Sequence, residues 1–263
     1  MWRRHWLQDD RLVIEFVDLA IVAVDRPSGT VVFDRLLPSE MEQHLLFDHV
    51  LPLILARDGA LVLHGGLISR EGKGVVLVGA SGAGKSTFTA FAWKVGWTVG
   101  GDDGAVVFAT RPPAVEPTYS TVRLTPYSAE LLGFGAEGTS SVVGKMRLAG
   151  NGGRAFREDR VELGVIAMIE PAPAGEVPRF ERLPAMEAHA RLFGSTFHAD
   201  LSGNRLLPGV VDALASIVES TTVGRLSVPR GLDGLFATER LLRTVFDGEE
   251  GARGFSGTTS SGS

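Results

Sequence analysis

Gly74-Val75-Val76-Leu77-Val78 runs directly into Gly79-Ala80-Ser81-Gly82-Ala83-Gly84-Lys85-Ser86-Thr87, after which Phe88, Phe91, Ala92 and Val95 recur at helical spacing as far as Gly96. An apolar strand, a glycine loop and a helix in that order decide the fold. The loop meets G-x-x-x-x-G-K-[ST] at every specified position, in the strand-to-helix context that the pattern requires. Its glycines let main-chain N–H groups turn inward around phosphate oxygens, and the helix behind adds its positive N-terminal end. Lys85 is suited to reach the β- and γ-phosphates as a mobile cation, and the Ser86 hydroxyl to complete the coordination of Mg²⁺. Thr87 suits the first helical turn. A glycine-rich turn with an incidental lysine accounts for the glycines but not for the whole set of fixed positions. The residues expected to hold ATP are therefore Gly79, Ala80, Ser81, Gly82, Ala83, Gly84, Lys85, Ser86 and Thr87.

Outward from the loop, the upstream run Ala60-Leu61-Val62-Leu63 and the run Gly74 to Val78 read as two strands flanking the turn Arg70-Glu71-Gly72-Lys73. His64 ends the first of them, ahead of Gly65-Gly66, where the backbone can pass close to other groups. It could orient an aspartate or a substrate hydroxyl, or be a hydrogen-bonded structural residue of the kind common at strand ends. Downstream, Asp102-Asp103 follows Ser86 at the distance needed for one helix, a turn and a return strand beside the phosphate-binding strand. Two adjacent carboxylates there can divide two tasks, one holding Mg²⁺ and the other accepting a proton from an attacking hydroxyl. Gly100-Gly101-Asp102-Asp103-Gly104 also makes good turn chemistry.

Further out, Leu12 to Val17 and Thr30 to Phe33 read as short strands around the turn Asp25-Arg26-Pro27-Ser28-Gly29. Pro38-Ser39-Glu40 opens a helical pattern that reaches Arg57, with Pro52 as a candidate kink. Strands are expected at Ser120 to Leu124 and Val161 to Ile169. Helices are expected at Ala185 to Phe193, Gly209 to Glu219 and Leu232 to Phe246. The glycine-laden stretch between Gly133 and Gly153, with Lys145 and Arg147 in it and Arg154 just beyond, reads as a mobile basic loop. Glu170 precedes Pro171, where strand termination is expected. Glu116 and Glu170 are weaker candidates for the site.

With 26 Lys and Arg against 31 Asp and Glu, the net charge of −5 offers no general attraction to nucleic acid or anionic lipid. The absence of cysteine excludes disulfides, thiolate nucleophiles and Cys-based zinc sites. Neither a secretion-signal anatomy at Met1-Trp2-Arg3-Arg4-His5-Trp6 nor an apolar run of spanning length is present, so a cytoplasmic protein is expected.

Leu63-His64-Gly65-Gly66, Val76 to Thr87 and Gly101-Asp102-Asp103, in this order and spacing, resemble the HPr serine kinase family. The likeness is closer to its short HPr-kinase-like proteins, and the broader set shares a nucleotide site with phosphoenolpyruvate carboxykinases. Weaker similarity continues through Pro117 to Leu124 and Leu226 to Leu232. The resemblance implies one catalytic centre of His64, Lys85, Ser86, Asp102 and Asp103, with Asp102 as the base and Asp103 as the partner of the metal or the histidine. The Leu-Glu-Ile-Arg-Gly-type signature of the bifunctional kinase/phosphorylases is missing; Thr121-Val122-Arg123-Leu124 keeps only its arginine. The resemblance therefore points away from phosphorylase activity and from HPr itself as substrate.

The expected architecture is an α/β P-loop nucleotide-binding fold, with the mixed sheet flanked by helices that the resemblance implies. Residues 1–38 form a small N-terminal β appendage, 39–247 the main domain and 248–263 a disordered Gly/Ser/Thr-rich tail. The expected activity is transfer of the γ-phosphoryl group of ATP, with Mg²⁺, to a serine hydroxyl of a peptide or small protein, and a homo-oligomer is left open. A nucleotide-binding assembly module without transferase activity and a small-molecule kinase or ATPase are the alternatives.

Overall fold

The computed structural model describes residues 3–9, 11–25, 27–119, 121–134, 144–149, 159–197 and 208–248. The expected tail lies outside them except for its first residue, Gly248. The chain opens with a four-stranded antiparallel meander: β1 (Arg3–Gln8), β2 (Arg11–Phe16), β3 (Ala20–Asp25) and β4 (Thr30–Phe33). Sequence reading found only β2 and β4. β3 alternates buried and exposed residues, but a turn at its start and another at its end leave it little length. One face of the meander, built by Leu12, Ile14, Phe16, Val22 and Val24, shares an apolar cluster with Leu45, Val50 and Leu53 of the following helical segment.

That segment is α1 (Ser39–Leu45), a π turn (Leu46–Val50) and α2 (Leu51–Arg57). Pro52 has no N–H to give to the carbonyl four residues back and its ring crowds it. The chain accommodates this by widening the turn before the proline, which settles how the expected kink is made.

The main sheet has nine strands and mixed directions, with helices on both faces. Its path is β5 (Leu61–Leu63), β9 (Ala105–Phe108), β10 (Ala114–Pro117), β13 (Val161–Ala172), β7 (Lys73–Val78), β6 (Gly65–Arg70) and β8 (Thr98–Gly101); β15 (Thr222–Pro229) pairs with β13, and β14 (Phe180–Arg182) with β15. β13 lies parallel to both β7 and β15, and the remaining pairs are antiparallel. α3 (Lys85–Lys94) and α7 (Leu232–Phe246) cover one face together with α4 (Pro126–Leu131) and a two-stranded ribbon of β11 (Thr121–Leu124) and β12 (Met146–Ala149). α5 (Ala185–Phe193) and α6 (Pro208–Ser220) cover the other. Among the described residues no helix is long and apolar enough to cross a membrane.

Three local expectations change. Gly65–Arg70 is a strand, β6, and it separates β8 from β7, so the acidic pair does not follow a strand adjacent to the phosphate-loop strand. The two leading glycines of β6 make the close approach expected of them: a Cβ on Gly65 would sit 2.6 Å from the Leu77 carbonyl oxygen, and one on Gly66 2.6 Å from Thr89 Oγ1. Part of the expected basic loop is strand β12, paired with β11. β13 runs through Pro171 to Ala172, because its pairing with β7 ends at Met168 and the missing N–H removes no bond on that side.

Candidate functional site

The glycine loop leaves β7 and closes into α3 through Gly79, Gly82 and Gly84 at φ +149°, +81° and +100°, the last of them capping the helix. Lys85, 7% exposed, donates from Nζ to the carbonyls of Gly79 at 2.7 Å and Ala80 at 3.1 Å. Burial lowers its pKa, while Asp103 and Asp102 pull it upward. The Thr87 hydroxyl lies 2.8 Å from that of Ser128, itself bonded to the capping Thr125 of α4, so the start of α3 is tied to α4. Ser81 through Thr87 line a cavity of about 490 Å³ together with His64, Asp103, Arg123 and Lys145; the far wall is Tyr127, Leu131, Pro171 and the Val228–Gly231 turn. Gly79 and Ala80 line a second cavity instead.

β8 delivers the acidic pair. Asp102 is 1% exposed; its Oδ2 accepts from the Arg123 main-chain N–H at 2.9 Å, and its Oδ1 has no hydrogen-bond partner. It is the only buried carboxylate oxygen so placed among the described residues. Burial and the neighbouring Asp103 charge raise the Asp102 pKa to about 8, against which Arg123 and the nearby Ser86 hydroxyl act more weakly. Asp103 differs. Its Oδ2 accepts from Arg123 Nε at 3.0 Å, from Arg123 Nη2 and from the Tyr119 hydroxyl at 3.1 Å. Burial alone would raise its pKa, but Arg123 and then His64 hold it below the ordinary carboxylate range.

Arg123 therefore holds both carboxylates, one through its main chain and one through its guanidinium. The guanidinium also reaches Asp48, a buried carboxylate of the π turn that accepts from the Tyr119 hydroxyl and faces His44 Nδ1. Burial lowers the Arg123 pKa, and Asp103 and Asp48 more than reverse it. Asp48, Tyr119 and Arg123 were absent from the set expected from sequence. Asp48 had a signal: with Met41, His44 and Leu45 it falls on the helical stripe where an apolar residue is expected, and a carboxylate there requires a buried partner.

His64 gives its Nδ1 proton to the Asp103 carbonyl oxygen at 3.1 Å, since a carbonyl can only accept. Burial lowers its pKa, so at neutral pH it is an uncharged ring whose Nε2 keeps a lone pair. It belongs to the walls of both cavities. His64, Lys85, Ser86 and Asp103 thus meet around one space, with Asp102 covered behind them. Lys145 joins that space, Arg147 is paired opposite Arg123 on the ribbon without lining it, and Arg154 lies outside the described residues. Glu116 pairs with Arg160, and Glu170 with Arg191 and Arg225, away from the cavity.

A divalent cation fits as a shared ligand and not as a caged one. Among the described residues no three His, Asp or Glu side chains converge on a point. The Ser86 hydroxyl and the cavity-lining Asp103 carboxylate are hard donors of the kind Mg²⁺ takes when phosphate oxygens and water supply the rest.

A family model described as "SynChlorMet cassette protein ScmC" matches residues 39–128, a stretch that contains His64, the glycine loop, the acidic pair and Arg123. Its description differs from that of the family the sequence resembles. No curated protein matches the chain. Among solved structures, the chain is similar to the Hpr(Ser) kinase/phosphatase from Coxiella burnetii, with a TM-score of 0.37 and 11% identity over 71% of this chain and 99% of that one.

Proposed function

We propose that this protein transfers the γ-phosphoryl group of ATP to a hydroxyl, that of a serine in a peptide or small protein. The observation that carries the reading is the Lys85 ammonium, held by main-chain carbonyls at the start of a left-handed glycine loop that borders one cavity with Asp103. The loop N–H groups and Lys85 would hold the phosphates, and the apolar wall of Leu131, Pro171 and Val228 would take the base. Ser86 and Asp103 would hold Mg²⁺, whose charge offsets that of the phosphates. In the transfer, the acceptor oxygen forms a bond to the γ-phosphorus and the bond from that phosphorus to the β,γ-bridging oxygen breaks. ADP leaves with that electron pair. Asp102 takes the hydroxyl proton on Oδ1; a pKa near 8 makes it a stronger base, once ionised, than an ordinary aspartate.

Asp102→Asn should retain ATP binding in calorimetry while phosphate transfer to a serine peptide slows by about 10² to 10⁴-fold. Transfer by the variant at the wild-type rate would refute the assignment of the base. A competing reading, a module that holds nucleotide without transferring it, is favoured by the near-complete burial of Asp102, 1% exposed. Wild-type protein that binds Mg·ATP but phosphorylates no peptide decides for that module.

A further inference from the structure

The second cavity, about 510 Å³, shares the His64 wall with the first and is otherwise lined by the N-terminal meander, the π turn, the start of the glycine loop and the segment after α5. From it we infer a phosphoryl-acceptor subsite selective for a peptide whose serine is flanked by an acidic residue. The inference rests on the phosphoryl-transfer reading above and adds the place and chemistry of the acceptor.

The two cavities share His64 and Ser81. Lys85 lines the first, yet its ammonium is bonded to the carbonyls of Gly79 and Ala80, which line the second. A lysine of this loop reaches the β- and γ-phosphates, so the terminal phosphate of a nucleotide in the first cavity is the end nearest the second. In-line displacement puts the attacking oxygen opposite the leaving one. An acceptor in the second cavity is on that side, with the uncharged His64 at the boundary.

The wall of this cavity carries a guanidinium, that of Arg3. Arg3 on β1 lies 3.4 Å from His49 Nδ1 and 6.0 Å from the centre of the Phe197 ring. Among the described residues it has no carboxylate partner. Asp48 also lines the space, but its carboxylate is already engaged by Arg123, Tyr119 and His44. His49 is uncharged at neutral pH, because burial, helped by the nearby Arg3 charge, brings its pKa to about 4. Only a neutral ring faces the guanidinium from the π turn. A planar guanidinium between an imidazole and a phenyl ring is suited to take a carboxylate through two parallel hydrogen bonds. With the nucleotide in the first cavity, a carboxylate beside the acceptor serine is the group this guanidinium would take.

The test uses the full chain, Mg·ATP and serine peptides that carry Asp or Glu, or Asn or Gln, beside the serine. Acidic peptides should be favoured about tenfold in kcat/KM. Arg3→Gln should abolish that preference through KM, leave the Kd for ATP unchanged, and be partly rescued by Arg3→Lys. A preference that survives Arg3→Gln, or no preference in wild type, overturns the inference. Binding of the same peptides with alanine in place of serine separates the two readings. Arg3-dependent binding of the acidic peptide with no transfer to its serine form defeats the transferase reading but leaves an acid-binding site; no selective binding of either peptide defeats the subsite.

Discussion

The glycine loop and the Arg123 hub border the same cavity and are built in opposite ways. The loop takes its polar groups from the consecutive residues Gly79 to Thr87, largely from the main chain, and their conformation is set by glycines that tolerate positive φ. The hub draws Asp48, Asp102, Asp103, Tyr119 and Arg123 from a π turn, the end of β8, the segment before β11 and β11 itself. It holds them by burying charge against charge. A loop of the first kind depends little on the rest of the fold for its stability, whereas a hub of the second kind fails as a unit.

The largest effect expected from this contrast is on stability. Arg123→Met leaves Asp48 and Asp103 buried without their cation and should cost about 3–5 kcal/mol in urea unfolding. Arg123→Lys should restore only a part, since a point charge cannot span both carboxylates. Lys85→Met, which removes a charge bonded only to two carbonyls of its own loop, should move the same curve by less than about 1 kcal/mol while abolishing ATP binding. Equal losses from Arg123→Met and Lys85→Met would erase the distinction.

A second effect has the opposite sign. The Asp102 pKa is raised from 3.8 to about 8. Between those values the folded chain keeps a proton that the unfolded chain has released, so this group stabilises the fold fully at acid pH and progressively less as pH climbs to about 8. Asp102→Asn removes the penalty while its side-chain carbonyl still accepts from the Arg123 N–H. The variant should lie within about 1 °C of wild type at pH 4 and melt on the order of 10 °C higher at pH 8. Taking the difference between the two proteins cancels the separate acid-side contribution of His49. A wild-type curve parallel to that of the variant would mean that Asp102 is already ionised in the folded state.

This contrast also governs what could be read from the sequence. The loop and α3 were legible because each is a contiguous pattern with a local physical cause, while the mixed sheet was expected only through the family resemblance carried by the order of histidine, loop and acidic pair. α5, α6 and α7 were legible from their periodicity for the same reason. The hub was not, because nothing adjacent to Arg123 in sequence says that its guanidinium will meet Asp48. β6 was missed because its two leading glycines carry no side chain to mark a strand, although the close approach expected of them is made to Leu77 and Thr89. β13 was shortened by a proline whose missing donor falls beyond the end of its neighbour β7.

The smallest effect is the sharpest control, because it keeps an arginine among carboxylates and removes the burial. Arg225 is surrounded by Glu170 at 3.5 Å, Glu187 at 3.0 Å and Glu181 at 3.9 Å, more carboxylates than Arg123 has. Yet these side chains are 33% to 63% exposed, against 14% or less for Arg123, Asp48 and Asp103. Water solvates each of the surface charges when its partner is removed, so no buried ion is stranded. Glu170→Gln should therefore shift unfolding by no more than about 0.5 kcal/mol, with a larger share of that shift lost in high salt than for any change in the hub. A loss near that of Arg123→Met would mean that the number of partners, and not their removal from solvent, sets the strength of such a cluster.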